Sequence, residues 1–488
     1  MDQIKKLAGQ TAVYGFGTIV PRLLNWVLLT PFFTRIFLKG EYGVVTELYA
    51  YVILLLAILT YGMETGFFRF SETEKDPKTV YSTSLISIIA TTLIFVVGIN
   101  IFIEPVSRLI QYSSNQEYIK WFSLIIGFDV ISSIPFAWLR KQNKAKKFAV
   151  LKIVNVCIHI ILVFFFFKIC PMLEKGGNTW IHNIYNEEIG VGYVFISNLI
   201  ATSITMVLLV PVILEARLKF SFALIKKMLA YSWPLVIVGI AAAVNEAGDK
   251  IMLKYLLPKD IDSIGEVGIY GANIKVAVFM TLFVQMFRYA FEPFFFAQAK
   301  GKNAKSIYAD IMKYFIIAGL LIFLLVTMYL DIVKYFIGDD YHVGLFVVPI
   351  VLMANLMLGI YYNLSVWYKL TDKTKFAALM SSAGLIITIA VNVILIPKIS
   401  YLGSAWAHLL CFLTMVVYSY FLGKKYYLIK YDIKNILLYF GIAIILFFSF
   451  NSINLESVFI SLIIKTIPII IFIGIVEYKE KISRFIKT

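Results

Sequence analysis

Five basic side chains, Arg22, Lys152, Lys250, Lys275 and Arg288, and five acidic ones, Glu47, Asp129, Glu246, Asp249 and Glu292, fall inside long apolar runs of the sequence. In hydrocarbon a charge costs about 2.5–3.5 kcal/mol on insertion scales, so each needs a partner or a wet cavity. A basic group placed this way holds an anion such as a phosphate, and a carboxylate holds a proton or a metal cation. Three of the charges, Arg22, Arg288 and Glu292, belong to stripes of helical period. On the first run Thr11, Gly15, Thr18, Arg22 and Asn25 recur at steps of four and three, and on the eighth Asn273, Ala277, Thr281, Gln285, Arg288 and Glu292 do the same. Both stripes are suited to lining a water-filled cavity, which makes Arg22, Asn25, Gln285, Arg288 and Glu292 candidate binding residues.

Each candidate has a plainer alternative. Arg288 and Glu292 stand at i and i+4 and can form a structural pair, as can Glu246 and Lys250. Asp249, Lys250 and Lys275 are further cavity candidates, yet they lie toward the outer end of their runs, where long side chains reach the interface. Asp129, beside Ser132 and Ser133, is a candidate proton or sodium site together with Glu292, or else a partner for a basic residue across the bundle. Lys152, Asn155 and His159 share one face of the fifth run. Glu47 lies close to an interface.

No catalytic constellation is present. His159, His182, His342 and His408 lack metal-ligand spacing, and Cys157, Cys170 and Cys411 lack paired spacing. No Gly-rich loop with its Lys and Ser/Thr is found, so no ATP-driven step is expected within the chain. Neither a metal nor a cofactor is expected.

The elements that must position these residues are membrane helices. Of 488 residues 60% are hydrophobic and 15% charged, with a mean hydropathy of +0.84. Soluble domains carry about a quarter charged residues. Fourteen apolar runs, about 11–34, 43–62, 79–103, 119–138, 148–170, 189–213, 229–253, 267–297, 308–337, 343–368, 376–397, 401–422, 435–451 and 457–476, are long enough to cross a hydrocarbon core of about 30 Å. The expected class is an all-α polytopic membrane protein.

The formal charge of +16 follows from topology. With the N-terminus inside, cytoplasmic loops hold 28 Lys and Arg and outer loops 10, the densest being Arg140, Lys141, Lys144, Lys146 and Lys147. No basic patch remains for nucleic acid. Both termini are expected in the cytoplasm. The loops are short, the longest outer one running from about Pro171 to Gly190, which leaves little room for an external catalytic domain.

An internal repeat sets Glu41-Tyr42-Gly43 at the start of the second run against Glu266-Val267-Gly268 at the start of the eighth. A weaker echo pairs Gly192 with Gly403. Six helices per repeat is an even number, so the halves run parallel. The expected division is an N-terminal six-helix lobe over 1–216, a cytoplasmic interfacial linker over 217–228 with Leu218, Phe222 and Ile225 on one helical face, a second six-helix lobe over 229–423, and two further helices with a cytoplasmic tail over 424–488.

Several motifs carry a family resemblance. Glu41-Tyr42-Gly43, the stretch Gly62-Met63-Glu64-Thr65-Gly66-Phe67-Phe68-Arg69-Phe70, Asp249-Lys250, and Gly268-Ile269-Tyr270 leading to Phe287-Arg288-Tyr289-Ala290-Phe291-Glu292-Pro293-Phe294 resemble the bacterial polysaccharide-biosynthesis flippases of the multidrug/oligosaccharidyl-lipid/polysaccharide exporter superfamily. The resemblance implies a V-shaped, two-lobed transporter of the bacterial inner membrane. Its implied substrate is an undecaprenyl-pyrophosphate-linked oligosaccharide, flipped to the periplasmic leaflet by alternating access for O-antigen, capsule or exopolysaccharide assembly. It implies membrane lipid, a polysaccharide polymerase and chain-length machinery as partners. In related lipid II flippases, arginines of helices one and eight line the cavity, and Arg22 and Arg288 occupy those helices. The last two helices would form a groove for the lipid tail, with Lys465 unexpected in the second. A lipid II flippase, an ion-coupled multidrug exporter of the same superfamily, and a membrane-embedded glycan polymerase or ligase are the competing readings.

Reporter fusions after Lys6, within Arg140–Lys147, within 300–305 and after Lys487 should all report cytoplasm. A periplasmic signal from the 300–305 fusion would break both the repeat and the parallel halves.

Overall fold

The computed structural model describes residues 14–217, 219–298, 301, 303–371, 373, 375–451, 453 and 458–481. All regular elements among them are helical. Thirteen helices are long and apolar enough to cross a membrane: α1 (Tyr14–Ile36), α2 (Lys39–Thr73), α3 (Pro77–Ile101), α4 (Gln116–Lys141), α5 (Ala145–Lys175), α6 (Gly192–Ile213) and α7 (Phe222–Leu256), then, after α8, α9 (Ala304–Met328), α10 (Asp339–Leu370), α11 (Lys375–Ile399), α12 (Tyr401–Tyr426), α13 (Ile433–Asn451) and α14 (Ile460–Glu480). The remaining span, α8, is a bent pair, Ser263–Val276 and Val278–Tyr289, set 51° apart about Ala277. All fourteen coincide with the apolar runs of the sequence.

Local chemistry explains where the helices deviate. In α1 a π-turn over Asn25–Leu29 directly precedes Pro31, and in α5 one over Phe165–Ile169 precedes Pro171. Proline supplies no N–H and crowds the carbonyl four residues back, and a widened turn accommodates it. A third π-turn, Val244–Gly248 in α7, has no proline directly after it and is followed by Asp249. The second helix passes a kink at Thr60-Tyr61-Gly62, with Gly62 at φ +68°, and continues to Thr73. Ser232 donates to the Gly62 carbonyl at 3.3 Å, so the kink is held from α7.

Packing separates the chain into two units: residues 14–37 with Val44–Gly248, and Leu38–Gly43 with residues 249–481. The boundary falls in α7 at its π-turn, not in the 217–228 segment. That segment is also no interfacial helix. Ser221 caps α7 by accepting from the Leu224 N–H, so Phe222 and Ile225 belong to the first turns of a spanning helix, while Leu218 lies outside the described residues. Nor do Phe222 and Ile225 share an environment, the first being exposed and the second buried.

In the first unit α4 is the central post, packed by α2, α3, α5 and α6 through Ile125, Ile126, Val130 and Ile134. In the second, α12 packs on α10 and α11, and α9 on α10, α13 and α14. The last helix is tied to α9, to the segment that follows it and to α13. Glu480 accepts from Lys313 Nζ and from Tyr439 OH at 2.6 Å each, Tyr329 OH and Thr466 Oγ1 meet at 2.7 Å, and Lys465 pairs with Asp331. The unexpected Lys465 is therefore a buried structural charge.

The repeated Glu-x-Gly motifs pack on each other within the second unit. A Cβ on Gly43 would lie 1.9 Å from the Ile264 carbonyl oxygen, and one on Gly268 would lie 2.0 Å from that of Lys39. Each glycine thus faces the backbone four residues before the other, a reciprocal crossing in which only hydrogen fits. Close backbone approach at small residues is how helices associate in lipid. Gly43→Ala or Gly268→Ala should each lower stability by about 1–3 kcal/mol through overpacking, read as a fall in the unfolding temperature of the detergent-purified protein, whereas Gly441→Ala, where a Cβ meets nothing within 4 Å, should not.

Candidate functional site

The first unit brings charges from four helices together. Arg22, three residues before the α1 π-turn, is exposed and makes no hydrogen bond or ion pair among the described residues. Its helix is fixed by contact with α5: a Cβ on Gly17 would lie 2.7 Å from Ala149, and Tyr14 meets Phe148 edge-on at 5.4 Å. On the same stripe Thr18 donates to the Tyr14 carbonyl at 2.8 Å, and Asn25, half-buried, has an Oδ1 with no hydrogen-bond partner among the described residues. Thr11 lies outside the described residues.

Lys152 of α5 sits within electrostatic reach of Asp129, Glu64 and Arg22, with its Nζ 4.2 Å from the centre of the Phe136 ring. Sequence reasoning grouped Lys152 with Asn155 and His159, but these have other roles. Asn155 donates to Thr205 at 3.0 Å, and His159 is buried. Glu64 is held at 2.9 Å by Arg140, whose guanidinium lies 4.7 Å from the Phe68 ring centre. The resulting cluster contains both signs, with Asp129 and Glu64 compensating Lys152 and Arg140. Glu47 is fully buried and accepts from Tyr112 OH at 2.6 Å.

The ends of these helices near Glu72, Asp76 and Glu215 are pinned by further pairs. Glu72 binds Lys141, Asp76 binds Arg217 at 3.4 Å, and Glu215 accepts from Trp138 at 2.7 Å, from Gln142 at 2.6 Å and from Lys144 at 3.4 Å. Burial works to raise the Glu215 carboxyl, yet the hydrogen bonds from Trp138 and Gln142 and the Lys144 charge outweigh it and leave the group below its ordinary range. Asp76 is held below its ordinary range mainly by the hydrogen bond from Thr79.

In the second unit Asp249 and Lys250 form a knot with α8. Asp249, 2% exposed, accepts from Lys250 Nζ at 2.9 Å and from Tyr270 OH at 2.8 Å, and His408 feels both charges. This carboxylate is committed to protein partners. Lys275 is exposed, two residues before the Ala277 bend, and Gln285 is half-buried in the second half of α8. Arg288 lies over the Tyr362 ring at 4.8 Å, a contact that sequence spacing did not suggest. The side chain of Glu292 lies outside the described residues, so its proposed pairing with Arg288 and its ion-coupling role are not placed. Among the described residues no three His, Cys, Asp or Glu side chains converge as a metal-ligand set.

The arrangement places the Arg22 and Arg288 guanidinium groups on α1 and α8. A stability experiment tests the first cluster. Lys152 is exposed and Asp129 half-buried, with no ion pair between them among the described residues. Asp129→Asn should therefore destabilise by no more than about 1 kcal/mol, read by thermal unfolding, and Lys152→Met in the same background should recover that small loss.

Among solved structures the fold recurs in the inward closed conformation of the lipid II flippase MurJ, with a TM-score of 0.71 at 16% identity over 96% of this chain and 99% of that one. It recurs in an inward-facing multidrug resistance MATE family transporter of the MOP superfamily, at 0.62 and 11% over 84% and 94%. A mutant of the Vibrio cholerae MATE transporter VcmN matches at 0.57 and 12% over 86% and 97%. No curated protein sequence matches the chain. The sequence profile of the polysaccharide biosynthesis protein family matches residues 7–297. With well over half of the sequence inside that match and the helices arranged as in the flippase and the multidrug transporters, the chain belongs to the polysaccharide biosynthesis protein family.

Proposed function

We propose that this protein is a flippase of the bacterial inner membrane, which moves an undecaprenyl-pyrophosphate-linked oligosaccharide from the cytoplasmic to the periplasmic leaflet for surface polysaccharide assembly. The observation that carries this reading is Arg22, a guanidinium in an apolar span with no hydrogen bond or ion pair among the described residues. Such a group binds a pyrophosphate through paired N–H donors, and it is costly to leave in place without a task. Family membership supplies the glycan pathway, and the likeness to a lipid II flippase supplies a precedent for a lipid-linked cargo on this fold. Two parallel six-helix halves, Arg22 in the first and Arg288 in the second, suit alternating access with both termini in the cytoplasm. A polysaccharide polymerase and chain-length machinery would act on the exported product.

Lipid II itself is the second reading, favoured by the breadth of the likeness to MurJ. Deletion separates the two. Loss of surface glycan with lipid-linked oligosaccharide held on the cytoplasmic leaflet supports the first, whereas cell lysis with accumulated lipid II supports the second. Sensitivity to cationic drugs alone would support a multidrug exporter.

Arg22→Ala should reduce export by about tenfold or more with the protein inserted at normal abundance, and Arg22→Lys should be impaired too, because an ammonium cannot reproduce the planar fork of the guanidinium. Wild-type surface glycan in Arg22→Ala cells would remove the main support for the reading. A pyrophosphate leaving a negative interior gains about 2.3 kcal/mol per charge per 100 mV. Collapse of the membrane potential alone should therefore slow export. Dependence on a proton or sodium gradient at constant potential would instead point to coupling through a carboxylate, for which Asp129 and Glu292 are the candidates.

A further inference from the structure

Phe222, Lys226, Leu229, Trp233 and Ile237 of α7 follow one another at steps of four, three, four and four, and all five are exposed. At about 100° per residue they form one stripe along a membrane-spanning helix. Four are apolar, with Phe222 77% and Trp233 66% exposed, and lipid tails suit such a face. Lys226 interrupts it with a cation between Phe222 and Leu229. Side chains of a helix lean toward its N-terminus, so this ammonium reaches along the stripe to the end of the span, the depth at which lipid phosphates lie.

The chain that leads into the stripe is fixed. The Arg217 N–H donates to Ser82 Oγ at 2.8 Å and the Ser221 N–H to Thr83 Oγ1 at 3.2 Å, both on α3, and Ser221 then caps α7. Lys219 and the exposed Phe220 are held between these two points. Most carboxylates at this end are engaged: Glu64 with Arg140, Glu72 with Lys141, Asp76 with Arg217 and Glu215 with Lys144. Lys75, Lys78, Lys219, Lys226 and Lys227 make no side-chain hydrogen bond or ion pair among the described residues, and of the carboxylates in 64–78 and 214–227 only Glu74 is in the same condition. A surplus of uncompensated positive charge therefore borders an uncovered apolar stripe.

Two such features side by side specify one ligand. A free inorganic anion would answer the lysines and leave the stripe bare, and an uncharged chain would do the reverse. A zwitterionic lipid brings a phosphate together with a cation that the lysines repel. An anionic phospholipid has one end for each requirement, and a basic residue near a membrane surface gains from the negative headgroups there. We propose that the foot of α7 binds an anionic phospholipid such as phosphatidylglycerol, with Lys219 and Lys226 on the headgroup phosphate and an acyl chain along Leu229, Trp233 and Ile237. The loop charges assign this end to the cytoplasmic leaflet. The site includes neither Arg22 nor Arg288, and it does not rest on the flippase reading.

Trp233 is a built-in reporter. The full chain is reconstituted in phosphatidylcholine nanodiscs that contain a minor fraction of phosphatidylglycerol or phosphatidylcholine brominated on the acyl chains, and the Trp233 fluorescence is taken as the difference between wild type and Trp233→Phe. Brominated phosphatidylglycerol should quench this signal at a lower mole fraction than brominated phosphatidylcholine, and the quenching should saturate. Lys219→Gln and Lys226→Gln should each raise the fraction required by about fivefold, Lys226→Arg should preserve the preference, and Lys227→Gln, about 100° further round the helix, should change it less. Equal quenching by the two headgroups at every fraction overturns the proposal. So does an undiminished preference in a Lys219→Gln, Lys226→Gln double variant that keeps the wild-type unfolding temperature. Absence of quenching by either lipid overturns it as well, and means that protein covers this face.

Discussion

The structure is governed by the cost of a polar group that finds no partner in hydrocarbon. The backbone meets the requirement by remaining helical throughout the spans, since hydrocarbon offers no water to stray N–H and C=O groups. Where proline interrupts the ladder, as at Pro31 and Pro171, the preceding π-turn absorbs the crowding while the helix continues. Side chains meet the requirement by pairing. Lys465 pairs with Asp331, Lys313 with Glu480, Lys250 with Asp249, and the buried Glu47 takes a tyrosine hydroxyl. Of the charges read inside the apolar runs, Lys250, Asp249 and Glu47 are thereby accounted for as structure.

Such pairing works only because helix axes are placed closely, and small residues set that spacing. The crossing of Gly43 and Gly268 leaves no room for a methyl group on either side, so it fixes the helix starts to which Glu41 and Glu266 belong. Glu41 then accepts the Leu38 N–H at 2.8 Å, and Glu266 receives the Ser400 hydroxyl. The second echo in the sequence has a similar basis. Gly192 is pressed against Tyr118 and Trp121 of α4, and Gly403 against the backbone at Leu395 and Ile396 of α11. Repeats in this chain preserve the places where helices touch most closely.

This explains what was legible in the sequence. Hydropathy located all fourteen spans because a run of about twenty apolar residues has few alternatives to crossing. The continuation of α2 to Thr73 was not legible, because Thr60-Tyr61-Gly62 has the composition of a stop and only the Ser232 contact, 170 residues away, makes it a kink. The 217–228 segment misled for the opposite reason: Leu218, Phe222 and Ile225 have interfacial spacing, but a single serine cap joins the later two to α7. Pairings over long separations, such as Lys465 with Asp331 and Arg288 with Tyr362, leave no trace in local spacing. Arg22 was legible because its lack of an acidic neighbour on its own helix is visible in the sequence, and among the described residues it makes no hydrogen bond or ion pair.

That isolation constrains the surroundings of α1. At about 100° per residue, Gly15, Thr18, Arg22 and Asn25 share one face, while Phe16, Leu23 and Val27 lie roughly 100–140° around the helix. Both faces are uncovered: Arg22 is exposed, and Phe16, Leu23 and Val27 are exposed apolar side chains. Lipid suits the second face and cannot accept the first, since a guanidinium without a partner requires water or an anion. In the proposed flippase this one helix would form a boundary between an aqueous compartment and the lipid. A cargo with a charged head and a long apolar tail needs a boundary of this kind, because its two ends must stay in different solvents throughout transit. A small soluble drug has no such need, and on this ground α1 favours a lipid-linked anion over a free cation.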